Sequence, residues 1–129
     1  MDASILIEAK NMNAIERMKI SNNLARVICE RFEVIDIIGG VSGEPIAEKK
    51  SKITKKINEL DSKYFDINDA GGDKNLYMPF FCKARALSSY IYSLDADNVY
   101  MYCESVYEAQ AACGGLENIR PLLFNIDGS

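Results

Sequence analysis

A chain of 129 residues supports one domain rather than two, and its 48% hydrophobic content, spread along the whole length, supplies a packed core and excludes a disordered chain. Nineteen acidic against fifteen basic residues give a formal net charge of −4, which argues against a nucleic-acid binder and permits a basic protein partner. The absence of histidine removes Ser-His and Cys-His nucleophile pairs, imidazole general bases and the usual zinc and di-iron ligand sets.

The chain starts MDASILIEAK, with an acid at Asp2, a short apolar run over Ile5–Ile7, and then Glu8. A secretory leader needs a basic start and a longer apolar stretch, and no run in the chain approaches a membrane span. The expectation is a cytoplasmic protein with reduced thiols. Cys29, Cys82, Cys103 and Cys113 are widely spaced, form no CxxC pair and match no zinc-finger spacing, so they read as structural thiols rather than metal ligands.

The first segment, MDASILIEAKNMN, is ambiguous between a short helix and a strand, with helix the preferred reading. Asn13-x-x-Glu16 then forms a capping-box pattern, with a carboxamide to accept backbone N–H groups and a glutamate to reach back. From there the spacing of Ile20, Leu24, Val27, Ile28, Phe32, Ile35 and Ile38 predicts one helix to about Ile38, bending at Ser21–Asn23. Gly39-Gly40 is expected to stop it. The β-branched tail FEVIDII makes a strand the rival there.

The stretch GGVSGE, Gly39–Glu44, departs from a phosphate-binding loop at Glu44, where the pattern needs a lysine and an acid would repel phosphate. It reads as a connector, and no nucleotide cofactor is expected. Pro45 suits the first turn of the next helix, whose Ile46, Ile53, Ile57, Leu60 and Tyr64 fall in a sector about 60° wide. Five lysines between Lys49 and Lys56 surround the solvent side of that helix and form no narrow groove lined with aromatics. Without them the chain has ten basic against nineteen acidic residues, so its charge is unevenly distributed.

Asp66–Asn75, DINDAGGDKN, reads as a loop. As a calcium loop starting at Asp66 it would need an oxygen ligand at its fifth position and a bidentate glutamate at its twelfth; those positions are Ala70 and Tyr77. Pro79 is expected to open a helix carrying Phe80, Ala84, Leu87, Ile91 and Leu94. That would put Cys82 in a first helical turn beside Lys83, two features that lower a thiol pKa, although the PFFC context is apolar.

Asp95–Asn98, DADN, supplies a stop and a start together, and Val99, Cys103, Val106 and Cys113 define the core line of the following helix. A β-hairpin over Tyr90–Cys103 is the alternative, because SYIYSL and VYMYC also alternate, but the helical stripes persist far longer. Gly114-Gly115 ends the helix, and LENIRPLLFNI is a last packed segment interrupted at Pro121. The fold class is mainly α, a single compact domain over residues 1–129 of about five helices, with the strand or hairpin as a minor element.

On that hairpin Tyr102 falls on one shoulder of the core line, and Tyr100 and Tyr107 fall on the other, with Glu104 and Glu108 further out. Tyrosine brings large contact area at low entropy cost, and the acids select a basic partner. The functional expectation is a non-catalytic inhibitor or immunity-type protein that occludes a basic, nuclease-like toxin domain. Asp95, Asp97, Glu104 and Glu108 would imitate phosphate charge, and Tyr100 and Tyr107 would anchor. The alternatives are a regulatory or scaffolding homodimer and an enzyme resting on Cys82 or on a carboxylate pair such as Glu30/Glu33 or Glu104/Glu108. No cofactor, metal, nucleic acid or membrane enters the expectation.

Overall fold

The computed structural model describes residues 3–126, with side chains through residue 123. Asp2 and the chain's last three residues lie outside it, as do the side chains that end the LENIRPLLFNI segment. The described residues are mainly α and contain no strand. They form α1 (Ala3–Asn11), α2 (Ala14–Arg31), α3 (Ile35–Gly40), α4 (Ile46–Asp69), α5 (Lys74–Ser93), α6 (Val99–Cys113), a 3-10 turn at Leu116–Asn118 and α7 (Arg120–Ile126). The Tyr90–Cys103 segment is therefore a helical hairpin.

Helix α5 is the centre of the bundle, with α4, α6 and α2 packed around it. Its second half is enclosed: Ala84, Ala86, Leu87, Ser88, Ser89, Tyr90 and Ser93 are all buried. Leu24, Ala25, Ile28 and Cys29 of α2 and Ile53, Ile57 and Leu60 of α4 supply the facing surfaces. Burying such apolar side chains contributes about 1.5–3 kcal/mol each and drives the assembly. Beside Leu87, Tyr90 and Tyr102, many of the buried positions of α5 and α6 are small (Ala84, Ala86, Ser88, Ser89 and Ser93; Ser105, Ala109 and Ala112), which lets their backbones approach closely.

The capping box at Asn13 forms as its spacing predicts: Glu16 N–H donates to Asn13 Oδ1 at 2.8 Å and Asn13 N–H to Glu16 Oε1 at 3.1 Å. The single helix expected from there to Ile38 is in fact two. Helix α2 is continuous through Ser21–Asn23 and ends at Arg31. At the break Glu33 adopts φ +62°, and the Val34 N–H reaches back to the Cys29 carbonyl at 2.8 Å. This is the helix-ending geometry that glycine normally supplies, closed by burying Val34. Gly39 and Gly40 take no left-handed conformation and belong to α3 itself.

Two proline positions also differ from expectation. Pro45 caps α4 from just outside rather than opening its first turn. Helix α5 starts at Lys74, where Asp73 caps it by accepting the Asn75 N–H at 2.9 Å, so Pro79 lies inside the helix. The loop shrinks accordingly, because α4 continues to Asp69. Pro79 offers no N–H to the carbonyl one turn back, a loss tolerated this near a solvent-exposed helix start. Pro121 likewise sits within the first turn of α7 and does not interrupt it.

Arg17 ties two connections together. Its guanidinium is buried and donates to the Ala9 and Met12 carbonyls at the end of α1 and to the Asp97 carbonyl in the α5–α6 turn, at 3.1, 2.5 and 2.6 Å. A charged donor so used satisfies carbonyls that a helix end leaves open.

Candidate protein-binding site

The Asn98 side chain positions α6 by accepting the N–H groups of Tyr100 and Met101 at 2.8 and 3.2 Å. From that start the helix turns Tyr102, Cys103, Ser105, Val106, Ala109 and Ala112 into the core. The buried face is thus wider than the line read from Val99, Cys103, Val106 and Cys113. Tyr102 is a core residue rather than a shoulder, and Val99 and Cys113 are only half-buried. Tyr100 and Tyr107 project outward, 63% and 46% exposed, with the half-buried Glu104 between them along the helix. Positions seven apart with a third four residues in fall on one side of a helix.

The other three proposed residues are placed differently. Asp97 is exposed in the turn, with its carbonyl held by Arg17. The Asp95 carboxylate pairs with Lys50 of α4. Glu108 does not project outward as its position on the helix wheel implied. Its side chain is 13% exposed and faces Arg85 of α5, 3.3 Å away, while the same guanidinium reaches Asp61 of α4 at 3.0 Å. Burial outweighs the attraction of Arg85 and pushes the Glu108 pKa up, with Glu104 and Asp61 adding to the rise. Glu108 is thus the α6 end of an internal tie in which Arg85 of α5 joins α4 and α6.

Two features escaped the sequence reading. One is that Arg85 bridge, whose only forewarning was a single arginine within the small-residue stretch of α5. The other is the tip of the α4–α5 hairpin, where no residue from Asp61 to Lys83 is fully buried. There the Tyr64 ring lies 5.0–5.4 Å from those of Phe65, Tyr77 and Phe81, and Phe65 and Leu76 are 55% and 61% exposed. The hydrophobic pattern of each helix was legible, but their meeting across a turn was not.

Helix α5's earlier start moves Cys82 away from the N-terminal turn and removes the helix-end argument for a reactive thiol. Burial and the nearby Cys113 push its pKa up. Cys103 and Cys113 are raised chiefly by burial too, and Cys29 is pushed up to about 12. Among the described residues no three His, Cys, Asp or Glu side chains gather where they could hold a metal ion. No described helix is long and apolar enough to cross a membrane.

Two clefts open onto α6. One of about 310 Å³ lies among α1, α2, α6 and α7, where Arg120 pairs with Glu8 at 2.6 Å beside Tyr102. The other, of about 200 Å³, is formed by Tyr107, Gln110, Ala111, Gly114 and Gly115 at the end of α6. No family model, curated protein or solved structure matches this chain.

Proposed function

We propose that the chain is a non-catalytic protein-binding domain that acts by occluding a basic partner, in the manner of an inhibitor or immunity-type protein facing a nuclease-like toxin. The observation that carries this reading is the ridge of Tyr100, Glu104 and Tyr107, two exposed aromatic anchors flanking a carboxylate on one rigid helix. Aromatic anchors near a charge of fixed sign give both contact area and partner selection. Asp97 extends the acidic ridge at the turn, whereas Asp95 and Glu108 hold the scaffold.

The test is capture followed by inhibition. Wild-type protein and the Glu104→Lys/Tyr107→Ala variant are used as baits in cells encoding the protein, and the captured protein is purified and assayed. The reading requires a basic protein held by wild type alone, whose activity wild type suppresses. Equal affinity for the variant discards the ridge.

A second reading rests on the hairpin tip: a regulatory or scaffolding domain that self-associates through an apolar helical face. The exposed Phe65 and Leu76 beside the aromatic cluster favour it. Sedimentation of wild type against Phe65→Ser/Leu76→Ser separates the two. A dimer lost in the variant supports the second reading, and a wild-type monomer removes it.

A further inference from the structure

We propose that the cleft beside Tyr107 receives an arginine side chain of the partner, an inference that rests on the protein-binding reading above and names the chemistry of its anchor. The cleft lies at the C-terminal end of α6, continuous with the exposed ridge through Tyr107 itself. At about 200 Å³ it is smaller than pockets for drug-sized ligands and suits a single side chain.

Its walls favour a cation. The end of a helix carries the negative pole of the aligned peptide dipoles, about half an elementary charge. Gly114, at φ +84°, turns the chain out of the helix, and Gly115 N–H donates to the Gln110 carbonyl at 3.1 Å. In a continuing helix that N–H would have paired with the Ala111 carbonyl, so Ala111, a cleft residue, loses its helical donor. Gly115, without a side chain, keeps the wall open. A Cβ there would lie 2.6 Å from a carboxylate oxygen of Glu117, so this acid sits directly beside the cleft.

Tyr107 lines the cleft beside Gln110, and an aromatic ring attracts a cation over its face, guanidinium more than ammonium because it is planar and weakly hydrated. The other flank of this helix end already holds one guanidinium: Arg31 donates to the Cys113 sulfur at 3.6 Å. None of the five residues forming the cleft is basic. The helix end and Tyr107 line this small space and the Glu117 carboxylate stands beside Gly115 at its edge, and each of the three favours positive charge.

The test is a titration of isotope-labelled full-length protein with N-acetyl-arginine methylamide, using the citrulline analogue as its uncharged isostere. Saturable shifts of the Gly114 and Gly115 amides and the Gln110 carboxamide are expected with arginine and not with citrulline. Glu117→Gln and Tyr107→Leu should each weaken binding about two- to fivefold, the range of an exposed cation–π or charge contact. Absence of shifts, equal shifts with citrulline, or wild-type affinity in both variants overturns the proposal. A partner that still needs Tyr100 and Glu104 while this cleft stays silent removes the cleft and leaves the ridge standing.

Discussion

Ser89 of α5 and Ser105 of α6 hydrogen-bond reciprocally, each hydroxyl donating to the other's backbone carbonyl at 2.8 Å. Both residues are fully buried. Two helices can exchange such bonds only when their backbones run close, and the small residues around them, Ala84, Ala86, Ala109 and Ala112, allow it. Ser105→Ala should cost about 1 kcal/mol, the net worth of one such bond. Ser105→Leu should cost more, because it forces the helices apart against close packing. Urea unfolding of the two variants checks the order; a Leu variant as stable as wild type would show that the seam is loose.

The bridge from Arg85 to Asp61 and Glu108 predicts an asymmetry. Glu108 holds its proton more tightly in the fold than in the open chain, so stability from this group is greatest at low pH and falls as pH rises through the carboxylate range. Ionised Glu108 is therefore a net cost at neutral pH despite its partner. Glu108→Gln should leave stability within about 0.5 kcal/mol of wild type at pH 7. Arg85→Met should destabilise by about 2 kcal/mol, since it strands two partly buried carboxylates. Both effects are read from urea midpoints, and similar losses in the two variants would contradict this account.

Much of the fold was legible because local chemistry marked it. Asn13 and Asn98 announced helix starts with side chains that do cap, and the Ile53, Ile57 and Leu60 stripe of α4 points into the core. What failed did so for two reasons. A left-handed helix end was expected at glycine, but the chain placed it at Glu33, where no residue type signals it. Asp73, four residues beyond the end of α4, already caps α5, which makes Pro79 an interior residue. The ridge could be read from one helix wheel because Tyr100, Glu104 and Tyr107 share a helix. The fate of Glu108 could not, because it depends on Arg85 and Asp61 arriving from two other helices.

Glu33 itself yields a prediction. A side chain at φ +62° costs about 1 kcal/mol relative to glycine, whose lack of Cβ makes that conformation ordinary. Glu33 is exposed, so little packing is lost on its removal. Glu33→Gly should raise stability slightly, by up to about 0.5 kcal/mol, once the greater freedom of the unfolded chain is counted against that gain. Thermal unfolding checks the sign, and a drop would mean that the glutamate side chain is more than a bystander at the α2–α3 break.

Cys29 should make the fold alkali-sensitive. The thiol is fully buried, its sulfur 3.3 Å from the Ala86 carbonyl, and burial pushes its pKa from 9.0 up to about 12. The unfolded chain therefore loses this proton first, and stability present below pH 9.0 is lost as pH rises toward about 12. Cys29→Ala should be less stable than wild type at pH 7 by about 1 kcal/mol, from lost packing. That deficit should narrow as pH rises above 9.0, because the variant has no thiol to ionise. Parallel stability curves for the two proteins across that range would contradict a buried, protonated Cys29.

The ridge residues should divide their work between stability and association in a way that kinetics resolves. Tyr100 and Tyr107 are 63% and 46% exposed, so replacing either with alanine should shift stability by no more than about 0.5–1 kcal/mol. Loss of binding in those variants would then report on the surface rather than on folding. An aromatic anchor buried against a partner governs how long the complex lasts, so both alanine variants should accelerate dissociation. A charge such as Glu104, only partly exposed but beside them, acts mainly on encounter with a basic surface. Glu104→Lys should slow association most at low ionic strength, and the difference should shrink as salt screens it. Surface-binding kinetics at two salt concentrations separate these effects; a Glu104→Lys rate that is insensitive to salt would remove electrostatic steering from the ridge and leave the tyrosines as its only contribution.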